Sequence, residues 1–141
     1  MTRIQTAIAT LPVTPEAAYA FLSDLSRHRA FMEPAALDFQ GDADRLSYTV
    51  EVMGMKLPLE FVAKERVPAQ RVTLVPGAKK LFDQEVRFEL APAAEGCTLQ
   101  VVVDADIPAM MAMMGAEKLL QAQLDAGLKN IQALAAEGRL A

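Results

Sequence analysis

The sequence predicts an α+β fold in which a curved antiparallel sheet of about six to seven strands wraps around one long C-terminal helix, with two short helices after the first strand. Three observations predict it. From residue 36 to 107 apolar residues recur at every second position, the signature of strands with one dry face. Past Pro108 the period becomes helical, with Leu120, Leu124, Leu128, Ile131 and Leu134 on one side and Lys118, Gln121, Asp125, Lys129 and Gln132 on the other. A sheet this extensive cannot leave its apolar face wet, and the terminal helix carries the matching stripe.

Residues 3–11 read as a first strand with Ile4, Thr6 and Ile8 at period two. Thr14-Pro15-Glu16 is a helix start: a hydroxyl to cap free N–H groups, a proline for the first turn, a carboxylate for the dipole. Ala17, Ala18, Phe21, Leu22 and Leu25 then share one face, and a second short helical piece runs from Arg27 to Met32, before Pro34. Leu46, Tyr48, Val50 and Val52 alternate with polar neighbours, and Gly54 turns the chain between Met53 and Met55. Leu57, Leu59 and Phe61 form the return strand, and Pro68 ends it. Val72 and Leu74 make a short strand closed by Pro76-Gly77. Phe82, Gln84, Val86, Phe88 and Leu90 alternate with Asp83, Glu85, Arg87 and Glu89, whose charges mark a wet face. A turn at Glu95-Gly96 leads to Leu99, Val101, Val103 and Ala105. Pro108 opens the last helix and Gly138 stops it.

Composition bounds function. A chain of 141 residues with 52% hydrophobic and 23% charged residues suits one globular domain, residues 1–141. The net charge of −4 and the lack of any long basic run argue against nucleic acid. One cysteine, Cys97, makes no intrachain disulfide. The N-terminus lacks a signal peptide's apolar core, and no apolar run approaches the roughly 20 residues of a membrane span. A cytoplasmic protein is the default reading.

The segment LPVTPEAAYAFLSDL at residues 11–25, the aromatic Phe31 after it, and the closing helix over residues 110–134 resemble the START-related, Bet v 1-like superfamily that includes polyketide cyclase and dehydrase proteins. The resemblance runs along nearly the whole chain. It implies the helix-grip fold and a cavity between sheet and helix for lipids, sterols, polyketides or other apolar molecules. Some members are enzymes and many are carriers. Members often carry Trp near the position of Phe31, and this chain has no Trp.

Such a cavity would draw its contacts from Phe31, from the inward strand positions Tyr48, Leu59, Phe61, Leu74, Phe82, Gln84, Val86, Phe88 and Val101, and from Leu120 on the helix. Four of the 8 methionines lie in Met110-Met111-Ala112-Met113-Met114, and Met53 and Met55 flank a hairpin turn. Methionine is flexible and polarizable, which suits ligands of irregular shape, although core filling or a dimer interface would use it equally. On one continuous helix Met110, Met113 and Met114 share the inward face, and Met111 points elsewhere, toward a possible homodimer surface. The methionine end of the helix, facing the Met53–Met55 hairpin, is thus the expected ligand end, with Leu120 to Leu134 as structural core.

Catalytic residues are scarce. His28 is the only histidine and, between Arg27 and Arg29, reads as solvated. With one His and one Cys, a metal site would need carboxylates to complete it, so no metal or cofactor is expected. Cys97 reads as a small buried hydrophobe. Gln84 sits on the apolar parity of its strand, either as a polar anchor or at a wet strand end. Tyr48 could meet a ligand or reach solvent with its hydroxyl. Glu117, near the inward edge of the helix, would be an acid or base if buried. The expected function is binding or carriage of a hydrophobic small molecule. The alternatives are a cyclase- or dehydratase-like enzyme using Gln84, Tyr48 or Glu117, and a protein-interaction module.

Overall fold

A computed structural model describes residues 1–52 and 54–140. Strands β1 (Thr2–Gln5) and β2 (Ala9–Leu11) replace the single first strand that the alternation suggests. Both pair with β8 (Gly96–Ala105), and Thr6 bridges the break between them. Its buried hydroxyl accepts from the Val101 N–H at 3.1 Å and donates to the Ala7 carbonyl at 2.8 Å. A side-chain oxygen thus stands in for a ladder carbonyl, and the chain beyond it turns Ile8 out to 66% exposure.

Helix α1 (Pro15–Ser23) starts as its sequence predicts, with Thr14 Oγ1 accepting from the Ala17 N–H at 3.1 Å. Its last turn holds no basic residue. Arg66, distant in sequence, serves that end instead: it donates to the Ser23 carbonyl at 2.8 and 3.1 Å, to Ala43 O at 2.6 Å and to the Asp44 carboxylate at 3.0 Å. One guanidinium so ties the end of α1 to the β3–β4 turn. A 3-10 turn (Leu25–His28) and helix α2 (Arg29–Met32) follow.

Strands β3 (Leu37–Gly41), β4 (Arg45–Val52), β5 (Met55–Val67), β6 (Arg71–Pro76), β7 (Gln84–Ala93) and β8 form an antiparallel meander. The sheet has eight strands in the order β1-β8-β7-β6-β5-β4-β3, with β2 also on β8. Its wet face carries an alternating charge ladder, in which Asp104 meets Arg3 at 2.9 Å and Arg87 at 2.8 Å, and Glu85 meets Lys64 at 2.9 Å. The two arginines hold the Asp104 carboxyl at about 2, well below its usual range. Exposed pairs of this kind stabilise little, so the fold rests on the dry face.

That face packs Leu11, Leu46, Val72, Phe88, Leu90 and Leu99 together with Leu22 of α1 and Leu25 of the 3-10 turn against Leu128, Ile131, Leu134 and Leu140 at one end of the sheet. Burying one such leucine or phenylalanine contributes about 2 kcal/mol. Cys97 is a fully buried part of this core.

The C-terminal helix is not continuous. It divides into α3 (Ala109–Met113) and α4 (Ala116–Ala136) at Gly115, whose φ is 87°. Left-handed backbone ends one helix and lets the next start in a new direction. At the far end Gly138 stops α4, with the Arg139 N–H returning to Leu134 O at 2.8 Å.

Open space surrounds the position a Gly115 Cβ would take, so a side chain there costs only conformational energy. Gly115→Ala is therefore expected to lower stability by about 1 kcal/mol in urea unfolding, the penalty of left-handed backbone for an alanine. A variant as stable as the parent would mean that the bend is not needed.

Candidate functional site: an apolar cavity beside the long helix

Helix α4 approaches α2, β1 and β2 with its backbone, and buries Leu128, Ile131, Leu134 and Ala135 in its second half. In its first half Leu120 and Leu124 are only partly buried, because they face a cavity of about 850 Å³. The curved sheet forms one wall: Leu46, Tyr48 and Val50 from β4, Leu57, Leu59 and Phe61 from β5, Leu74 from β6, Val86 and Phe88 from β7, Val101 and Val103 from β8. His28 and Phe31 close the inner end. Gly127 helps to keep the space open: a Cβ there would lie 3.9 Å from the Phe31 ring, so any larger side chain would enter the cavity. The rim includes exposed residues on one flank of α4, namely Leu119, Ala122, Gln123 and Ala126, and Glu33, Pro34 and Ala35 in the α2–β3 loop.

Polar groups on this surface are few. His28, expected at the surface, is 1% exposed. The tight 3-10 turn puts Leu25, His28 and Phe31 on one side, and that side is the core. Its Nε2 lies 2.7 Å from the Leu22 carbonyl, which can only accept, so Nε2 carries the proton. The ring packs 4.9 Å from Phe31 and edge-on to Phe88 at 5.4 Å. Burial pushes its pKa down to about 4, which leaves the imidazole neutral at pH 7.

Tyr48 stacks on Phe61 with 6.4 Å between ring centres and 9° between planes. Burial raises its pKa, so the phenol stays protonated. Neither its hydroxyl nor the Gln84 amide bonds to a described residue, and both line the cavity. Asn130 is committed, donating to Phe31 O at 2.9 Å. Cys97 lies outside the cavity lining, with its thiol pushed up by burial. Among the described residues no three His, Cys, Asp or Glu side chains gather as a metal would require. The arrangement can enclose an apolar molecule and offer it a phenol and a carboxamide.

Of the residues expected from the sequence, Phe31, Tyr48, Leu59, Phe61, Leu74, Phe82, Gln84, Val86, Phe88, Val101, Met114 and Leu120 do line the cavity. Phe82 does so from the loop before β7 rather than from a strand. Met55, Met110 and Met113 point away, at 59%, 75% and 88% exposure, and Glu117 is exposed on α4. Met53 lies outside the described residues. The methionine phase is partly reversed: Met111, expected to face outward, lines the cavity with Met114. The bend at Gly115 is the reason, since α3 does not inherit the rotation of α4. The Leu120–Ile131 stretch, expected to be plain core, forms one side of the cavity. Sequence reasoning missed His28, Met111 and Gly127. The three-residue spacing of Leu25, His28 and Phe31 and the lone glycine inside a helical stripe were the available signals.

Comparison with known families adds a decisive observation: the model for "Polyketide cyclase / dehydrase and lipid transport" matches residues 1–136. The chain belongs to this family. Solved structures show the same fold. A protein from Thermus thermophilus, TTHA0849, superposes with a TM-score of 0.75 at 16% identity, over 97% of this chain and 99% of that one. A START superfamily protein from Mycobacterium smegmatis gives 0.73 at 18% identity, over 96% and 97% of the two chains. The di-domain ARO/CYC StfQ from the steffimycin biosynthetic pathway gives 0.73 at 16% identity, over 96% of this chain and 51% of its own. Comparison with curated proteins finds no match. These likenesses establish the helix-grip architecture of the family member. Among the described residues no helix is long and apolar enough to cross a membrane.

The buried neutral His28 makes stability depend on pH. The unfolded chain takes up the proton near 6.5 and the folded chain only near 4, so stability is full above pH 6.5 and falls between these values as the pH drops. The loss is expected to reach about 3 kcal/mol. Asp104 acts lower, as the pH falls from 3.8 toward 2. Urea unfolding of the parent and of His28→Leu at pH 7, 5.5 and 4.5 separates the effect: by pH 4.5 the gap should have shifted by about 2 kcal/mol in favour of the variant. An unchanging gap would refute it.

Proposed function

We propose that the protein binds and carries a hydrophobic small molecule in the cavity beside α4. The single observation that carries this reading is the space itself. About 850 Å³ of apolar-walled volume lies inside the grip, where a well-packed protein interior would have side chains. That volume falls within the roughly 300–1,000 Å³ of small-molecule sites. The family description, with its polyketides and lipids, suggests the class of ligand. The lone, buried Cys97 suits a cytoplasmic setting, and the shared core suits one domain over the whole chain.

A second reading, a cyclase- or dehydratase-like enzyme, draws support from Tyr48 and Gln84 meeting at the same cavity. It loses Glu117, which lies outside the lining. The carboxylate that remains, Glu33, sits at the rim and is paired with Arg29, so inside the cavity the site would act by shape and by neutral hydrogen-bonding groups, which favours binding. A homodimer through Met111 loses its residue to the cavity. Exposed Met110 and Met113 are the outward methionines of α3.

Titration with the neutral fluorophore N-phenyl-1-naphthylamine tests the binding reading. The parent should bind it saturably with enhanced emission. Gly127→Leu should fold, since leucine suits a helix better than glycine, and should bind at least about tenfold more weakly because the side chain fills the space. A parent that shows no saturable binding, or a folded variant that binds equally, would remove the cavity as the site.

A further inference from the structure

The cavity lining has a charge pattern that narrows the ligand. Among its described residues there is no lysine or arginine. The one side chain that is charged at neutral pH is Glu33, which sits at the rim, 48% exposed and 3.5 Å from Arg29. The arginines near this end face elsewhere: Arg27, Arg29 and Arg139 line a separate outer cleft. Arg27 lies over the Phe21 ring, Arg29 donates to the Phe39 carbonyl, and Arg139 meets Glu137 at 3.4 Å. Arg66 is spent on the α1 clamp, and Arg87 on the wet face of the sheet. His28 is neutral, with its N–H already given to Leu22.

An ionised carboxylate taken into this space would lose its water and find no cation in return, which is strongly unfavourable. An anionic head left at the rim would find no cation among the lining residues, and the nearby Arg29 is already paired with Glu33. Uncharged polar groups fare differently. The Tyr48 hydroxyl can donate and accept, the Gln84 amide can do both, and neither is bonded to a described residue. They stand on β4 and β7, with β5 and β6 between them. Between them lie the apolar side chains of β5 and β6, including Phe61 and Leu74.

We propose that the cavity selects uncharged apolar molecules bearing carbonyl or hydroxyl groups, held by Tyr48 and Gln84, and rejects carboxylates of equal size. This rests on the cavity being the binding site. It assigns Tyr48 and Gln84 as specificity residues and places free fatty acids outside the ligand class.

Displacement of N-phenyl-1-naphthylamine at pH 7.5 by three compounds of matched size tests it: 2-acetylnaphthalene, 2-naphthoate and 2-ethylnaphthalene. The ketone should displace the probe at least about tenfold more effectively than the carboxylate. The single carbonyl meets one of the two groups, so either Tyr48→Phe or Gln84→Leu should weaken the ketone about two- to tenfold, the range of one neutral hydrogen bond. Both variants should hold 2-ethylnaphthalene as the parent does, which separates a lost hydrogen bond from a damaged cavity. Probe binding with naphthoate equal to the ketone would overturn the charge selection while leaving the carrier reading standing. Unchanged ketone affinity in both variants would overturn the roles of Tyr48 and Gln84. Failure of the probe and of all three compounds to bind would overturn the carrier reading and this inference together.

Discussion

Helix α4 is buried at one end only, and the rest of the structure follows from that asymmetry. Leu128, Ile131 and Leu134 press into the closed end, where α1, the 3-10 turn and α2 complete the packing. Toward the other end the same stripe continues through Leu124 and Leu120, and the sheet wall opposite does not meet it. An amphipathic helix normally has both ends of its stripe covered. Here the closed end anchors it well enough for the other half to stand clear. The cavity is therefore a consequence of where the stabilising contacts are concentrated.

Much of this architecture was legible in the sequence. The period-two runs located the β-meander, and the Thr14-Pro15-Glu16 start and the Gly138 stop were read from capping chemistry alone. The misreadings share one cause, which is that a local pattern cannot report a change of direction. Alternation runs through Ile4, Thr6 and Ile8 as if one strand continued, yet the Thr6 hydroxyl replaces a ladder carbonyl and turns the chain. The methionine run was phased on a single helix, and Gly115 rotates α3 away from that phase. His28 looked wet because arginines flank it, but three residues per turn in a 3-10 helix align His28 with buried Leu25 and send its two neighbours to other sides.

The cavity wall was legible for a simpler reason. Inward parity on a strand is the same whether the side chain meets another side chain or empty space, so Tyr48, Phe61, Val86 and Phe88 were identifiable without knowing that a void lay beyond them. The existence and extent of the void were not, because they depend on how far α4 stands from the sheet. Gly127 shows the limit: its meaning is the absence of a side chain opposite Phe31, which only the packed structure displays.

Such a void has a mechanical side as well. Protein unfolding under hydrostatic pressure is driven by internal volume that disappears when the chain opens. Whatever part of the roughly 850 Å³ water leaves unfilled makes the empty protein softer than its tightly packed closed end. A bound apolar molecule would take up that volume. Loading would then stiffen the sheet and helix together, and the ligand would act as the missing half of the hydrophobic core.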